Sequence, residues 1–323
     1  MRKVAYLAAD PGPRSTLEPL AEVLPGWWPE AASESALRAE HTELLICGTS
    51  DSSAGLRVEA RARGAANALQ IPVVVIEDFP GSYRDTPASR PRLLVVESEF
   101  SARLACAKVG DAAPSLCVVP CVRYDPLRRR LEQLRLRSAP PAPHCVLWVG
   151  QPETRDALKT LAVLVPALQA QGARLWFRAH PRDAGYAGGA YRQLLEDKRA
   201  RTRDLTASSL ETCLTARPSL VVTQFSSVAV EAGFWGIPVL HVLLPGAGAA
   251  RLAAKKGYAV PPWCEAGAAF LVTEAATMRA TLRLALGSQQ ARAAVQDSFD
   301  RYFEVRRPGA PVLLDVLYNH GFL

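Results

Sequence analysis

Short apolar runs alternate with amphipathic stretches along the first 120 residues. The runs have strand length and carry consecutive apolar positions, as in strands buried on both faces. The stretches between them, at 15–24 and 56–70, have helical spacing. We predict strands at 3–10, 42–48, 73–78, 92–98 and 116–120. Strands of this kind separated by helices indicate an α/β fold with a parallel sheet covered on both faces.

The same alternation restarts after a proline-rich segment, "RSAPPAP" at 137–143. Prolines at this density end a helix and favour an extended connector. Beyond it we predict strands at 145–150, 173–179, 219–224 and 237–243, helices at 157–172, 187–200 and 227–236, and two further helices.

A chain of 323 residues fits two domains of about 150 residues each. We predict two Rossmann-like domains that face each other across a cleft. The N-terminal domain covers 1–138 and the C-terminal domain 144–305, and a last helix at 306–323 is expected to pack back on the N-terminal domain.

Composition narrows the class of protein. Hydrophobic residues make up 49% and charged residues 21%, as in soluble globular proteins. No apolar run approaches the roughly 18 residues that span a bilayer, and the apolar start ends too early, at Asp10, for a signal peptide. We therefore expect a cytoplasmic protein.

The net charge of +7 suits phosphate-bearing substrates, nucleic acid or an anionic membrane. RNA-binding and helix-turn-helix signatures are missing from the sequence, so a nucleic-acid partner is not expected. The seven cysteines, at 47, 106, 117, 121, 145, 213 and 264, form no zinc pattern. We predict buried, reduced thiols and no metal site.

Ligands of open α/β sheets bind outside the carboxyl ends of the strands. The stretch "ARLWFRAHPRDAG" places His180 and Pro181 between Arg178 and Arg182 at such an end. It is either an ordinary strand-to-loop turn, with arginines that are solvated or paired with Asp183, or a cationic clamp for an anionic ligand.

A second strand end carries Gln224, Ser226 and Ser227, followed by a helix with Glu231. A serine here caps the helix, and the helix start offers amides and a positive dipole end to a phosphate. A capped turn alone is one interpretation. The two serines, the carboxylate and a closing Gly-x-Pro together fit phosphate and ribose recognition.

These motifs carry a resemblance. "HP" followed about 45 residues later by "SS" resembles the bacterial sialyltransferases, polysialyltransferases and capsule Kdo transferases, which are two-domain GT-B glycosyltransferases using CMP-activated sugars. The resemblance implies that His180 of His180-Pro181 contacts the donor phosphate or nucleotide and that Ser226 and Ser227 bind the phosphate. Glu231 matches the carboxylate that GT-B enzymes often place on the donor ribose.

The chemistry agrees with this interpretation. Negative charge builds on the phosphate as the glycosidic bond breaks. A protonated His180 and the amides at Ser226 and Ser227, with Arg178 or Arg182, are suited to stabilise that charge without a metal.

The N-terminal domain is expected to supply a base and the acceptor contacts. Glu77 and Asp78 end an apolar strand, where desolvation would raise the pKa of one carboxyl and suit it to deprotonate a hydroxyl. The resembling families carry an acidic pair followed by glycine, whereas Gly81 comes three residues after Asp78 here. Alternatively, Asp78 caps a turn with Pro80 and Gly81.

Two further loops follow strands of the N-terminal domain. Asp10 and Arg14 follow the first, and Ser50 and Asp51 follow the second, and we predict that all four bind the acceptor. Alternatively, the second loop only caps the helix that follows it. The segment 124–138 is predicted to be a leucine-striped helix rich in arginine. It is either a solvated surface helix or a peripheral contact with the inner face of an anionic membrane.

We therefore predict a metal-independent, cofactor-free glycosyltransferase. It would move a Kdo- or sialic-acid-like sugar from a CMP-activated donor to the hydroxyl of a glycan or lipid-linked glycan in surface polysaccharide synthesis. Three alternatives stay open: a nucleotide-sugar 2-epimerase, although its usual Asp-Ser-Gly-Gly string is missing; a CDP-polyol phosphotransferase; and a non-catalytic nucleotide or sugar binder.

Overall fold

The computed structural model describes residues 2–30, 32–84, 87–110, 114–136 and 142–323. The chain forms two compact units. Unit 1 comprises 1–129 and 306–323, and unit 2 comprises 130–305. Of the predicted linker, 137–141 lies outside the described residues, and the chain passes from unit 1 to unit 2 after Arg129.

Unit 1 contains a five-stranded parallel sheet within its described residues, in the order β1-β2-β3-β4-β5. Its strands are β1 (Val4–Leu7), β2 (Leu44–Cys47), β3 (Val73–Ile76), β4 (Leu93–Val96) and β5 (Ser115–Val118). The first four are buried at every position, as their unbroken apolar runs predict.

The helices of unit 1 cover both faces of this sheet. They are α1 (Pro11–Ala21), α2 (Glu34–Ala39), α3 (Ser53–Ala68), α4 (Glu99–Val109), α5 (Asp125–Arg129) and the C-terminal α16 (Gly309–Asn319). Leu313 and Leu317 of α16 are fully buried in the core that contains Val4 and Leu17. The buried Asp125 carboxylate accepts hydrogen bonds from the first two amides of α16, both at 2.7 Å.

Unit 2 contains a six-stranded parallel sheet in the order β11-β10-β9-β6-β7-β8. Its strands are β6 (Ala142–Val149), β7 (Arg174–Arg178), β8 (Thr202–Asp204), β9 (Pro218–Thr223), β10 (Val239–Val242) and β11 (Phe270–Val272). The chain adds strands on one side of β6, then returns to add β9 on the other. This reversal is the switch point of a Rossmann fold, where ligands bind.

The helices of unit 2 pack on both faces of its sheet. In chain order they are α6 (Leu131–Leu136), α7 (Thr154–Gln169), α8 (Ala184–Ala187), α9 (Ala190–Asp197), α10 (Leu210–Thr215), α11 (Val228–Phe234), α12 (Gly248–Lys256), α13 (Pro262–Glu265), α14 (Met278–Gly287) and α15 (Gln289–Tyr302). The two parallel α/β units confirm the predicted fold class.

Several local predictions were wrong. The helix expected at 124–138 is interrupted at Arg130, and the one expected at 187–200 is divided into α8 and α9. The strands β8 and β11 were missed because each has only three residues, and β8 is exposed throughout. All seven cysteines are free as predicted, but Cys106 is exposed and Cys117 half-buried.

Helices long and apolar enough to cross a bilayer do not occur in the described part of the chain.

Candidate nucleotide-sugar site

The carboxyl ends of β7, β6 and β9 lie side by side at one edge of the unit 2 sheet. The amide of Gly150, after β6, donates to the Arg178 carbonyl at 2.9 Å. On the other side, the Thr223 hydroxyl donates to the Val149 carbonyl at 2.9 Å. Because parallel strands are about 4.8 Å apart, the loops after β7 and β9 emerge roughly 10 Å apart, on either side of β6.

The loop after β7 is held by the buried carboxylate of Asp183. This carboxylate accepts hydrogen bonds from the Thr154 hydroxyl at 2.5 Å, from the Gly185 amide at 2.9 Å and from the Tyr191 hydroxyl. Asp183 therefore fixes the loop against α7 and α9 and makes no ion pair with Arg178 or Arg182. Of the two states that the sequence left open for the arginines, solvated or paired with Asp183, the pairing with Asp183 was wrong.

His180 is half-buried within this fixed loop. Its Nδ1 accepts a hydrogen bond from the Arg182 amide at 3.1 Å, so Nδ1 is unprotonated. Burial and the nearby Arg182 lower the pKa of His180. The imidazole is therefore neutral at pH 7, with its proton on Nε2, rather than protonated as the sequence led us to expect. It can still donate one hydrogen bond to an anionic oxygen.

The residues on either side of His180 differ in how far they are exposed and free to contact a ligand. Arg178 is half-buried and its Nε donates to the Ser208 carbonyl at 3.3 Å. Pro181 and Arg182 are exposed. Arg178 and Arg182 are each two residues from His180 along the chain. The guanidinium of Arg178 is already hydrogen-bonded to the Ser208 carbonyl, whereas Arg182 is exposed.

The loop after β9 leads directly into α11. The Ser226 hydroxyl accepts a hydrogen bond at 3.3 Å from the amide of Val228, the first residue of α11. Ser227 is half-buried with helical backbone angles, and its hydroxyl makes no cap bond within the described part of the chain. Glu231 follows Ser227 by four residues and so lies on the same side of the helix.

Gln224 does not fit its predicted role in binding the donor. The side chain is only 1% exposed, and its Nε2 donates to the Thr160 hydroxyl of α7 at 3.0 Å. Its side chain therefore joins the loop to the interior of unit 2.

The core beneath this loop contains a histidine that sequence reasoning missed. His241 of β10 is completely buried, and its Nδ1–H donates to the Gln224 carbonyl at 2.7 Å. Its Nε2 accepts from the indole N–H of Trp263 at 3.0 Å. Burial lowers the pKa of His241 to about 4, so the ring is neutral and fixes the backbone that leads to Ser226.

The N-terminus of α7 opens at the same edge, directly after β6. Its cap residue Glu153 makes no side-chain cap bond and instead pairs with Arg251 and Lys255, each at 3.4 Å. Arg251 also bonds Asp156 at 2.9 Å. The carboxylates at this helix start are thus neutralised by α12, which preserves an environment suited to an anion.

In unit 1, Asp78 follows β3 and is held in place by Thr49, which follows β2. Its Oδ1 accepts from the Thr49 hydroxyl at 2.7 Å, and that hydroxyl accepts from the Asp78 amide at 3.1 Å. A methyl group at Gly12 of α1 would lie 3.0 Å from Asp78 Oδ2, so the glycine lets the helix start approach the carboxylate.

Glu77 has a separate environment. It is 3% exposed, and its Oε1 accepts from the Tyr83 amide at 2.9 Å. The intervening turn is closed by the Ser82 amide and the Phe79 carbonyl at 3.0 Å, with Gly81 at φ 74° in the position that requires glycine. The offset of Gly81 from the acidic pair is therefore explained by this turn, which is closed by main-chain atoms and not by the Asp78 carboxylate.

Glu97, which sequence reasoning missed, is a third carboxyl group near Glu77 and Asp78. Glu97 follows β4 as Glu77 follows β3, and the Glu77 amide donates to the Val95 carbonyl of β4 at 2.9 Å. Glu97 Oε1 is buried and has no hydrogen-bond partner among the described residues. Burial, reinforced by Glu77 and Asp78, raises the pKa of Glu97 to about 8. The sequence signal was available, since an apolar strand ends in glutamate in both places.

The four residues assigned to acceptor binding are engaged within unit 1. Asp10 accepts from the amides of Asp51 and Ser52 at 3.0 and 2.8 Å. Ser50 is fully buried and donates to Glu59 at 2.6 Å. Arg14 is exposed and pairs with Glu18. The structure brings Asp10, Ser50 and Asp51 together, but Ser50 has no surface to offer a ligand.

The arginines of 124–138 have carboxylate partners that the sequence did not reveal. Arg128 and Arg129 pair with Asp125 and Glu22 in unit 1, and Arg130 and Arg135 with Glu211 and Asp300 in unit 2. Arg137 lies outside the described residues. Contact of this segment with a membrane stays a prediction.

Groups of three or more His, Cys, Asp or Glu side chains able to hold a metal ion are not found among the described residues.

Comparison of the whole chain with solved structures identifies the class of fold as GT-B, as the sequence predicted. No family model matches the sequence, and no curated protein matches it. Solved structures do match along nearly the full length, at sequence identities that establish the fold alone.

Three of them illustrate the likeness. The UDP complex of S. aureus MnaA has a TM-score of 0.66 at 12% identity, covering 100% of this chain and 98% of that one. Acinetobacter baumannii MurG has a TM-score of 0.64 at 12% identity, with 99% and 100% covered. The UDP-GlcNAc 2-epimerase of Neisseria meningitidis bound to UDP-GlcNAc has a TM-score of 0.63 at 12% identity, also with 99% and 100% covered.

Proposed function

We propose that this protein is a glycosyltransferase that uses a nucleotide-sugar donor and binds the donor phosphate on unit 2. One observation carries the proposal. His180 and the Ser226–Ser227 pair emerge on either side of β6, where the strand order reverses, which is where Rossmann folds bind nucleotides. The full-length likeness to structures containing UDP or UDP-GlcNAc supports a nucleotide sugar as ligand.

The proposed chemistry follows from the donors at this edge. The His180 Nε2–H and the Ser227 hydroxyl each donate a hydrogen bond to a phosphate oxygen. The negative charge on that oxygen grows as the glycosidic bond breaks, so these bonds strengthen toward the transition state. A neutral imidazole suits this role, because it donates without having to be desolvated as a cation.

Unit 1 supplies the base in this proposal. Asp78 is oriented by Thr49 and takes the proton of the acceptor hydroxyl. Glu97 keeps its own proton at pH 7 because of its raised pKa, so it is unsuited to act as the base.

The donor nucleotide is the finer part of the proposal. The "HP" and "SS" motifs favour CMP, with a Kdo- or sialic-acid-like sugar passed to a glycan or lipid-linked glycan, whereas the neighbouring structures contain UDP or UDP-GlcNAc. A thermal-shift series with CMP, CDP, UDP and GDP distinguishes a CMP-linked donor from a UDP-linked donor. We expect stabilisation by CMP above the others, since a ligand that binds only the folded state raises Tm.

Variants then locate the bound nucleotide. Ser227→Ala and His180→Ala are each expected to weaken nucleotide binding about tenfold, as the loss of one hydrogen bond to a charged group implies. Ser298→Ala, at a serine of α15 that is half-buried like Ser227, is the matched control and should leave affinity unchanged. Equal affinities in all three variants would refute the assignment of the site.

A sugar-transfer assay tests the reaction itself. Asp78→Asn is expected to keep the nucleotide-induced rise in Tm and to lose transfer. A wild-type protein that binds nucleotide but neither transfers nor isomerises a sugar would be a non-catalytic binder.

Epimerisation is the second candidate, favoured by the full-length likeness to a UDP-GlcNAc 2-epimerase. Incubation of wild-type protein with UDP-GlcNAc and no acceptor, followed by proton NMR, tests it. A 2-epimeric sugar nucleotide as product would replace the transferase proposal.

A further inference from the structure

A pocket of about 450 Å³ lies at the opposite edge of the unit 2 sheet. Its lining includes Pro218, the first residue of β9, and Pro238, which immediately precedes β10. Since all strands of this sheet are parallel, their amino ends lie at the edge away from His180 and Ser227. The volume falls within the roughly 300–1,000 Å³ of small-molecule sites.

One wall of the pocket is a single face of α15. Gln289, Arg292, Ala293 and Gln296 all line it, at the i, i+3, i+4 and i+7 spacing of one helical face. Gln289 is the first residue of α15, so this wall includes the end of the helix where the dipole is positive.

The charge of the pocket is positive and uncompensated. Arg217 and Arg292 both line it, and its lining contains no Asp or Glu. Arg217 donates to the carbonyls of Leu134 and Trp235 at 3.2 and 3.1 Å, and Arg292 to that of Leu286 at 2.5 Å. Within the described part of the chain, neither guanidinium has a carboxylate partner.

The energetic cost of a guanidinium without a carboxylate partner is clearest at Arg217. Its Nε is buried and has no hydrogen-bond partner among the described residues. Burial also lowers the pKa of this guanidinium. A half-buried cation without a counter-charge is costly, and an anion bound beside it would relieve that cost.

We propose that this pocket binds a small organic phosphate, a phosphate monoester attached to a body the size of one sugar. Two guanidinium groups match the two negative charges of a monoester, and arginine is the side chain best shaped for phosphate oxygens. The exposed His144 lies at the rim, and Pro218, Ile237 and Leu286 supply apolar surface for the body. This site is independent of the proposed donor site.

Isothermal titration calorimetry with glucose 1-phosphate tests the proposal, with glucose as the uncharged match. We expect saturable binding of the phosphate ester alone. Gln289→Glu adds a negative charge to the pocket wall at a side chain that makes no hydrogen bond with the described residues, and it should weaken binding about tenfold. Gln290→Glu adds the same charge to the same helical turn at a residue that does not line the pocket, and it should change affinity less than about twofold.

The variants also distinguish binding in this pocket from binding at the proposed donor site on the other edge of the sheet. His180→Ala should leave the affinity for glucose 1-phosphate unchanged. Loss of binding in His180→Ala with none in Gln289→Glu would move the phosphate to the donor site and overturn the proposal. Equal effects of the two glutamate substitutions, or no saturable binding of glucose 1-phosphate, would overturn it as well.

Discussion

Acidification is expected to weaken unit 2 through one buried imidazole. Both nitrogens of His241 are engaged, Nδ1–H with the Gln224 carbonyl and Nε2 with the Trp263 indole N–H. A second proton would have to go on Nε2, where it would displace the indole donor. The folded unit therefore resists protonation, and the unfolded chain does not.

The size of the effect follows from the two pKa values. The pKa of His241 is about 4 in the folded unit against an ordinary value of 6.5. Between these values only the unfolded chain takes up the proton, so the free energy of unfolding falls as the pH falls. From pH 7.5 to pH 5 this one group removes about 2 kcal/mol, and the loss approaches its limit of about 3.4 kcal/mol only below pH 4.

The measurement compares wild type with His241→Asn. Asparagine keeps an amide donor near the Nδ1 position and does not titrate in this range. Urea unfolding followed by tryptophan fluorescence at pH 7.5, 6.5, 5.5 and 5 gives the free energy of unfolding of each protein. The difference between the two proteins cancels the contributions of other titrating groups, and we expect it to shrink by about 2 kcal/mol between pH 7.5 and pH 5.

Parallel curves would refute this reasoning. If wild type and His241→Asn lost stability equally with acidification, His241 would titrate near its ordinary pKa in the folded unit.

Three further predictions concern stability and are measured by urea unfolding. Asp125→Ala leaves the buried Arg128 without its carboxylate and the start of α16 without its acceptor, so it should lower the free energy of unfolding by about 3–5 kcal/mol. Asp297→Ala, at an exposed residue, is the control and should lower it by less than about 0.5 kcal/mol. Gly233→Ala places a methyl group against the ring of Phe299 and should lower the free energy of unfolding by about 1–3 kcal/mol. Gly287→Ala places its methyl group in open space and should be neutral or stabilising. Equal effects of the two substitutions would contradict the close packing at Gly233. Glu97→Gln should stabilise unit 1 relative to wild type at pH 9 and progressively less toward pH 5. The reason is that the raised pKa of Glu97 contributes stability that is fully present below pH 4.5 and is lost as the pH rises through about 8. A difference in stability that did not depend on pH would contradict the raised pKa.

The sheets were predictable from sequence because their strands are buried on both faces. The runs that form β2, β3 and β4 are apolar at every position, so no alternation was needed to recognise them. β8 was not recognisable, since its residues Thr202–Asp204 are exposed and joined to the sheet only by backbone pairing.

The ends of helices were harder to place. α1 begins at Pro11 and has a second proline at position 13, because the first helical turn needs no amide donors there. The break at Arg130 has no proline or glycine to mark it in the sequence.

The candidate site was predictable as a set of positions and not as a set of chemical states. Strand-end logic located His180, Ser227 and Asp78. The neutral form of His180 depends on its burial and on the bond from the Arg182 amide, and the buried Ser50 hydroxyl donates to Glu59 of another element. Such partners are set by the folded backbone, and the residue types alone do not reveal them.

The return of the chain to unit 1 has a consequence for synthesis on the ribosome. Unit 2 is continuous in sequence, whereas the core of unit 1 is completed by Leu313, Leu317 and Phe322, which are translated only after the whole of unit 2. The first 129 residues should therefore emerge with an open apolar groove and wait for α16, leaving unit 2 as the first part of the chain able to finish folding.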